Sequence, residues 1–264
     1  MFRTTAKTLT LAGALVASTL AANSAQAAGW IVGLVDGKSI VTIDPMSRKV
    51  ASKVDVKGAA SILAIDVRPA DGMVYGVASD GNIVTIDVKS GQATMKSKLS
   101  EALKAGVTVT VDFNPVADRM RLMGSDGTSL RVNVDDGKVT VDGSHKYKDG
   151  DASAGKTPRV VAGAYTNSWK GTQATTLFNI DAGTGSLVSQ APPNDGILNT
   201  VGSLGIPVNG PIAFNIVASQ PDKNDAWLAT AGALYSVDLK TGKATMAGKI
   251  EGLAGTLSDI AWLD

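Results

Sequence analysis

Apolar and polar residues alternate along most of the chain in short runs rich in Val, Ile and Thr, and each run ends in Gly, Asp, Asn or Ser. Alternation with period two puts one set of side chains on each face of an extended strand. Asp36-Gly37, Asp80-Gly81, Asp126-Gly127 and Asp136-Gly137 are hairpin signals, because tight turns need positive φ and these residues tolerate it. Only Ser100 to Ala105 reads as helical, about one and a half turns at 3.6 residues per turn.

The runs repeat. Ile83-Val-Thr-Ile-Asp87-Val-Lys-Ser-Gly91-Gln-Ala-Thr-Met returns as Leu234-Tyr-Ser-Val-Asp238-Leu-Lys-Thr-Gly242-Lys-Ala-Thr-Met, and looser copies lie at Ile40–Asp44 and Leu130–Asn133. An inner run precedes the phrase, at Ile62–Pro69 and Val109–Pro115, and a second one joins the two, at Met73–Gly81 and Met120–Gly127. Four strands at a spacing of about 45 residues make a propeller blade. Five units follow: a first at 30–56, then 62–99, 107–144, 160–204 and 212–250. The first lacks its inner strand, and Leu257–Trp262 at the other end of the chain supplies one. The expected fold is all-β, a single five-bladed propeller over 28–264, closed by pairing of N- and C-terminal strands so that no sheet edge is left free.

Composition changes the picture at the N-terminus. Arg3 and Lys7 precede an apolar stretch from Leu9 to Leu20, followed by Ala25-Gln26-Ala27. That order is a signal peptide, residues 1–27, cleaved before Ala28, and it sends the protein to the periplasm or beyond. Without Arg3 and Lys7 the formal net charge passes from +1 to −1, which gives no field for nucleic acid. No second apolar run of membrane length follows. With no cysteine, stability rests on the core and not on disulfides.

Gly150–Thr157 fits the phosphate-loop pattern by letter, but Pro158 and a strand follow where a helix is required. The segment reads as a mobile inter-blade loop. The single histidine, His145, reads as an exposed loop residue; one histidine and no cysteine supply neither a zinc site nor a serine-protease-type triad. Asn133–Asp136 and Asp222–Asp225 lack calcium-loop spacing and read as turns. No metal site is assigned.

Aligning the units places Asp66, Asp112, Tyr165, Asn215 and Asp259 at equivalent inner-strand positions, as one polar ring around a central channel. Converging carboxylates repel one another unless they bind a cation, gain a proton or accept hydrogen bonds. Capping of a neighbouring blade's N–H groups is the favoured reading. A Ca²⁺ ion or a polar ligand is the other. Asp44, Asp87, Asp181 and Asp238 read as turn residues. Trp30, Trp227 and Trp262 read as core. Trp169, Arg119, Asn194 and Asp195 fall where the repeat lapses and are candidate surface contacts.

Val111–Gly127, Leu130–Asn133, Ala164–Ser168 and Pro192–Gly205 together resemble the bacterial Domain of Unknown Function 4394 family. The likeness covers nearly the whole mature chain. It implies an exported, propeller-like protein and brings no activity or catalytic residue. The expectation is a monomeric, non-catalytic binding or scaffolding module without a cofactor, presenting the loops Lys146–Arg159 and Leu204–Pro211 on one end to a protein or polysaccharide. The alternative is a hydrolase or lactonase using the channel carboxylates, with Ca²⁺.

Overall fold

The computed structural model describes residues 29–220 and 223–264, with Met1. The expected signal peptide lies outside the described residues. Five sheets, antiparallel except for one short parallel pair at the outer edge of the fourth, form the blades of a propeller. Blade 1 holds β1 (Trp30–Val35), β2 (Ser39–Ile43) and β3 (Val50–Asp55). Blade 2 holds β4 (Ile62–Val67), β5 (Val74–Ala78), β6 (Asn82–Ile86) and β7 (Ala93–Lys98). Blade 3 holds β8 (Val109–Asn114), β9 (Arg119–Gly124), β10 (Ser129–Val132) and β11 (Val139–Val141). Next in the chain is β12 (Lys146–Tyr147), which joins the outer edge of blade 4. Blade 4 continues with β13 (Val160–Tyr165), β14 (Leu177–Asp181), β15 (Ser186–Gln190) and β16 (Ile197–Ser203). Blade 5 holds β17 (Ile212–Gln220), β18 (Lys223–Thr230), β19 (Ala233–Val237) and β20 (Ala244–Lys249). The last strand, β21 (Leu257–Leu263), pairs with β1 as the inner strand of blade 1, so the closure is as the orphan run predicts.

The core is divided among the blade interfaces. Five buried clusters lie one between each pair of neighbouring blades. The cluster between blades 3 and 4 is the smallest, with seven buried residues against ten to thirteen elsewhere.

The repeated phrase is a turn. Asp44, Asp87 and Asp238 each accept backbone N–H groups two and three residues on through Oδ1. The residue four on sits at positive φ: Arg48, Gly91 and Gly242, with Gly137 in the turn begun by Asn133. A Cβ on Gly91, Gly137 or Gly242 would strike the outer strand of the preceding blade, at Asp55, Lys98 and Gly202 respectively. These turns therefore clasp blade to blade, and glycine is needed both for φ and for the close approach.

Three expectations are corrected. Ser100–Ala105 forms bends and not a helix; the one helical element among the described residues is a single 3₁₀ turn, Pro193–Asp195. Trp30 is exposed at the start of β1. The segment after His145 is built into blade 4: Tyr147 is buried and bonded to Asp181, and Asp151 accepts both N–H and Oγ1–H of Thr200.

Candidate functional site

The inner strands bring the channel residues together as one polar layer. Asp259 Oδ2 accepts the Ile65 N–H at 2.9 Å, Asp66 Oδ2 that of Phe113 at 2.8 Å, and Asp112 Oδ1 that of Tyr165 at 2.9 Å. Each carboxylate thus ties its blade to the next. Asn215 Nδ2 reaches Asp66 Oδ1 at 3.3 Å, from blade 5 to blade 2. Burial pushes Asp66 up to about 7. Burial, and the nearby carboxyls of Asp66 and Asp259, push Asp112 well above the ordinary range, and burial does the same to Asp259. The layer is held toward its protonated form, because separating buried like charges from water costs more than the hydrogen bonds return. No group of three or more His, Asp or Glu among the described residues is arranged to hold a metal ion.

Tyr165 departs from the expected ring. Its ring is buried with Met123, Tyr147 and Leu177 between blades 3 and 4, and its hydroxyl accepts the Arg121 Nε–H at 3.2 Å. Its true counterpart is Phe113, since both donate N–H to the carboxylate of the preceding blade. A one-residue slip in strand register sends a side chain to the opposite face.

A cavity of about 220 Å³ opens at one mouth of this channel. Asp66 and Asn215 are its floor, and Trp169, Lys170, Trp262 and Asp264 stand around it. The walls are the C-terminal ends of the inner strands and the loops that follow them. Lys146–Arg159 and Leu204–Pro211 lead into the N-terminal ends of β13 and β17, so the expected contact loops lie at the other end of the propeller.

Trp169 is half-buried, on a loop with little freedom. Asn167, at φ 55°, receives one hydrogen bond from Asn224 and gives one back, between blades 4 and 5. Asn167 Nδ2 also donates to Ala174 O, Ser168 Oγ to Tyr165 O, and the Trp169 N–H to Asn167 O. Trp262 Nε1–H donates to Asp264 Oδ1 at 2.9 Å, which leaves the indole carbon surface for the cavity.

The remaining candidates lie elsewhere. Arg119 is exposed and donates to Asp118 O and Ala117 O. Its neighbour matters more: Arg68 forks onto Asp118 with bonds of 2.8 and 2.6 Å, and also reaches Asp135, Asp71 and the Tyr75 hydroxyl. Arg68 was invisible as a site in the sequence, because it sits inside the repeat. Asn194 Oδ1 accepts from Arg121 Nη2 at 2.8 Å, and Asn194 O from Gly143 N–H. A Cβ on Gly196 would strike Gly143 and Ser144. The Pro192–Gly196 insertion therefore replaces the Asp-x-x-x-Gly clasp in blade 4, and Asp195 is exposed on it. Arg121 is buried, with Asp142 as its ion partner; Asp142 is shared with Arg131. Next to them His145 is also buried, contrary to expectation, and neither ring nitrogen has a partner among the described residues. Burial, and then the Arg121 charge, push it down to about 4.

The model of the family described as "Domain of unknown function (DUF4394)" matches residues 39–261. The chain belongs to that family. No curated protein matches the DUF4394 chain in sequence. A solved protein of unknown function from Bacteroides thetaiotaomicron VPI-5482 is 14% identical with a TM-score of 0.50, over 81% of this chain and 54% of that one. Another, from Bacteroides caccae, is 11% identical with a TM-score of 0.46, over 89% and 98%. An auxiliary nutrient binding protein from Bacteroides ovatus ATCC 8483 is 13% identical with a TM-score of 0.47, over 81% and 57%. The chain thus spans just over half of two of these three.

Proposed function

We propose that this DUF4394 protein is an exported, non-catalytic binding module whose site is the channel mouth. The observation that carries the reading is Trp169: a half-buried aromatic on a braced loop with a strained Asn167, placed beside a concave cavity with a polar floor. Strained backbone persists where surrounding structure over-determines it, and such places cluster at binding sites. Concave sites with apolar walls and a few convergent polar groups are the usual small-ligand geometry. The carboxylates that a hydrolase or lactonase would use have another occupation, since each accepts a backbone N–H across a blade junction. The mouth would receive a small polar molecule or one projecting residue of a polymer. The order Arg3, Lys7, Leu9–Leu20, Ala25–Ala27 supports export.

A thermal-shift screen of a broad metabolite library against the protein and Trp169→Ala tests the assignment. Stabilising compounds that lose their effect in the variant support it. A library in which every effect survives the substitution, or none occurs, rejects the mouth as the site.

A further inference from the structure

We propose that the cavity takes an uncharged, hydroxyl-bearing ring, a single pyranose residue, with Trp169 and Trp262 as its apolar walls and Asn215 as the group that orients it. The proposal deepens the reading above and rests on it.

Size comes first. The cavity, about 220 Å³, is smaller than the roughly 300–1,000 Å³ of sites for drug-sized ligands, so it suits one ring. Charge comes next. Lys170 and Asp264 stand at the same cavity with opposite signs, so neither a cation nor an anion finds a one-signed pocket. The floor adds no full negative charge, because burial holds Asp66 toward its neutral form. A quaternary ammonium ligand would want aromatic faces without a nearby ammonium group, and Lys170 is there.

The polar geometry then selects hydroxyls. Asn215 is 7% exposed and lines the cavity. Its Nδ2 is engaged by Asp66, and among the described residues its Oδ1 receives no hydrogen bond. An amide oxygen with no protein donor, on a side chain that lines the cavity, is free to accept from a ligand hydroxyl. A sugar hydroxyl supplies the donor and can accept from Lys170 in turn. Trp262 has its only donor committed to Asp264, so it offers carbon surface. A pyranose has both a C–H face for an indole and a rim of hydroxyls for the floor.

The test is calorimetric titration and tryptophan fluorescence with glucose, galactose, mannose and N-acetylglucosamine, each alone. Tetramethylammonium chloride and sodium phosphate are the charged comparisons. The expected result is saturable binding of at least one sugar, weakened tenfold or more by Trp169→Ala and by Asn215→Leu. Trp169 lies on a loop outside the blade strands, so a urea midpoint equal to wild type in Trp169→Ala shows the fold kept, and its loss of binding then stands even if Asn215→Leu loosens the channel. Sugar binding unchanged in Trp169→Ala overturns the placement. Binding of a charged probe and of no sugar, abolished by Trp169→Ala, overturns the saccharide and leaves the mouth as a site. No binding of any sugar, together with library hits that Trp169→Ala abolishes, also overturns the saccharide alone.

Discussion

Asp66 Oδ2 and the backbone N–H of Phe113 meet at 2.8 Å across the junction of blades 2 and 3. The carboxylate pulls two inner strands together while facing a channel it shares with Asp112 and Asp259. Its hydrogen bonds and its charge are therefore separable. Asp112→Asn keeps an acceptor for Tyr165 N–H and removes a group that burial disfavours in its charged form; it should leave stability unchanged or raise it. Asp112→Ala strands that N–H and should cost on the order of 1–3 kcal/mol in urea unfolding. Equal losses in the two variants would contradict the capping role.

The same layer sets a pH dependence. Asp66 is raised from 3.8 to about 7, so the folded chain keeps a proton that the unfolded chain releases. Its contribution is full below about pH 3.8 and is lost as pH rises through about 7. Asp112 and Asp259 are shifted in the same direction and add with the same sign. The melting temperature should fall between pH 6 and 8.5, and Asp66→Asn should fall less. A wild-type melting temperature that rises across that window would refute the assignment.

His145 works in the opposite direction. It is lowered from 6.5 to about 4, so the unfolded chain takes a proton that the fold refuses. Stability from the neutral imidazole is present above pH 6.5 and is lost as pH falls toward about 4. Arg121 opposes its charging, and Asp126 and Asp181 favour it. Because both nitrogens are buried without partners, His145→Leu should stabilise by roughly 1 kcal/mol at pH 7 and flatten this acid limb. Chemical denaturation at pH 5 and 7 reads both effects.

Arg68 joins blade 2 to the two blade 3 turns that carry Asp118 and Asp135. The guanidinium is buried while those two acids are 40% and 52% exposed, so screening reduces the ion-pair part. Arg68→Lys cannot fork onto Asp118 and should lose about 1–2 kcal/mol. Asp135→Asn should cost less than half as much. Similar losses for the two substitutions would place the tie elsewhere.

Two glycines separate backbone strain from collision. Gly72 and Gly137 share positive φ, 71° and 75°. Around Gly72 a Cβ meets nothing, whereas at Gly137 it strikes the Lys98 carbonyl of blade 2. Gly72→Ala should cost roughly 1–2 kcal/mol. Gly137→Ala should cost clearly more, as measured by the urea midpoint.

Much of the architecture is legible in the chain because it repeats. The recurrence of Ile40–Asp44, Ile83–Asp87 and Leu234–Asp238 names the third strands, and the lone Leu257–Trp262 run names the closure. The turn role of Asp44, Asp87 and Asp238 is local and equally readable, since the partners lie two and three residues away. Reading Tyr165 by alignment failed by one residue, because alternation leaves a slip of one undetected in a strand buried on both faces. His145 looked like a loop residue because its burial comes from blade 4 folding against it.

By itself the sequence determined five blades, their turns and the strand that closes the ring, because period, alternation and turn chemistry are properties of neighbours along the chain. Only the tertiary structure decided that Tyr165 leaves the polar layer, that Pro192–Gly196 clasps blade 3, and that Trp169, Asn215 and Trp262 face one cavity. Those contacts join residues from different blades, and their geometry exists only once ring closure fixes the distance from one blade to the next.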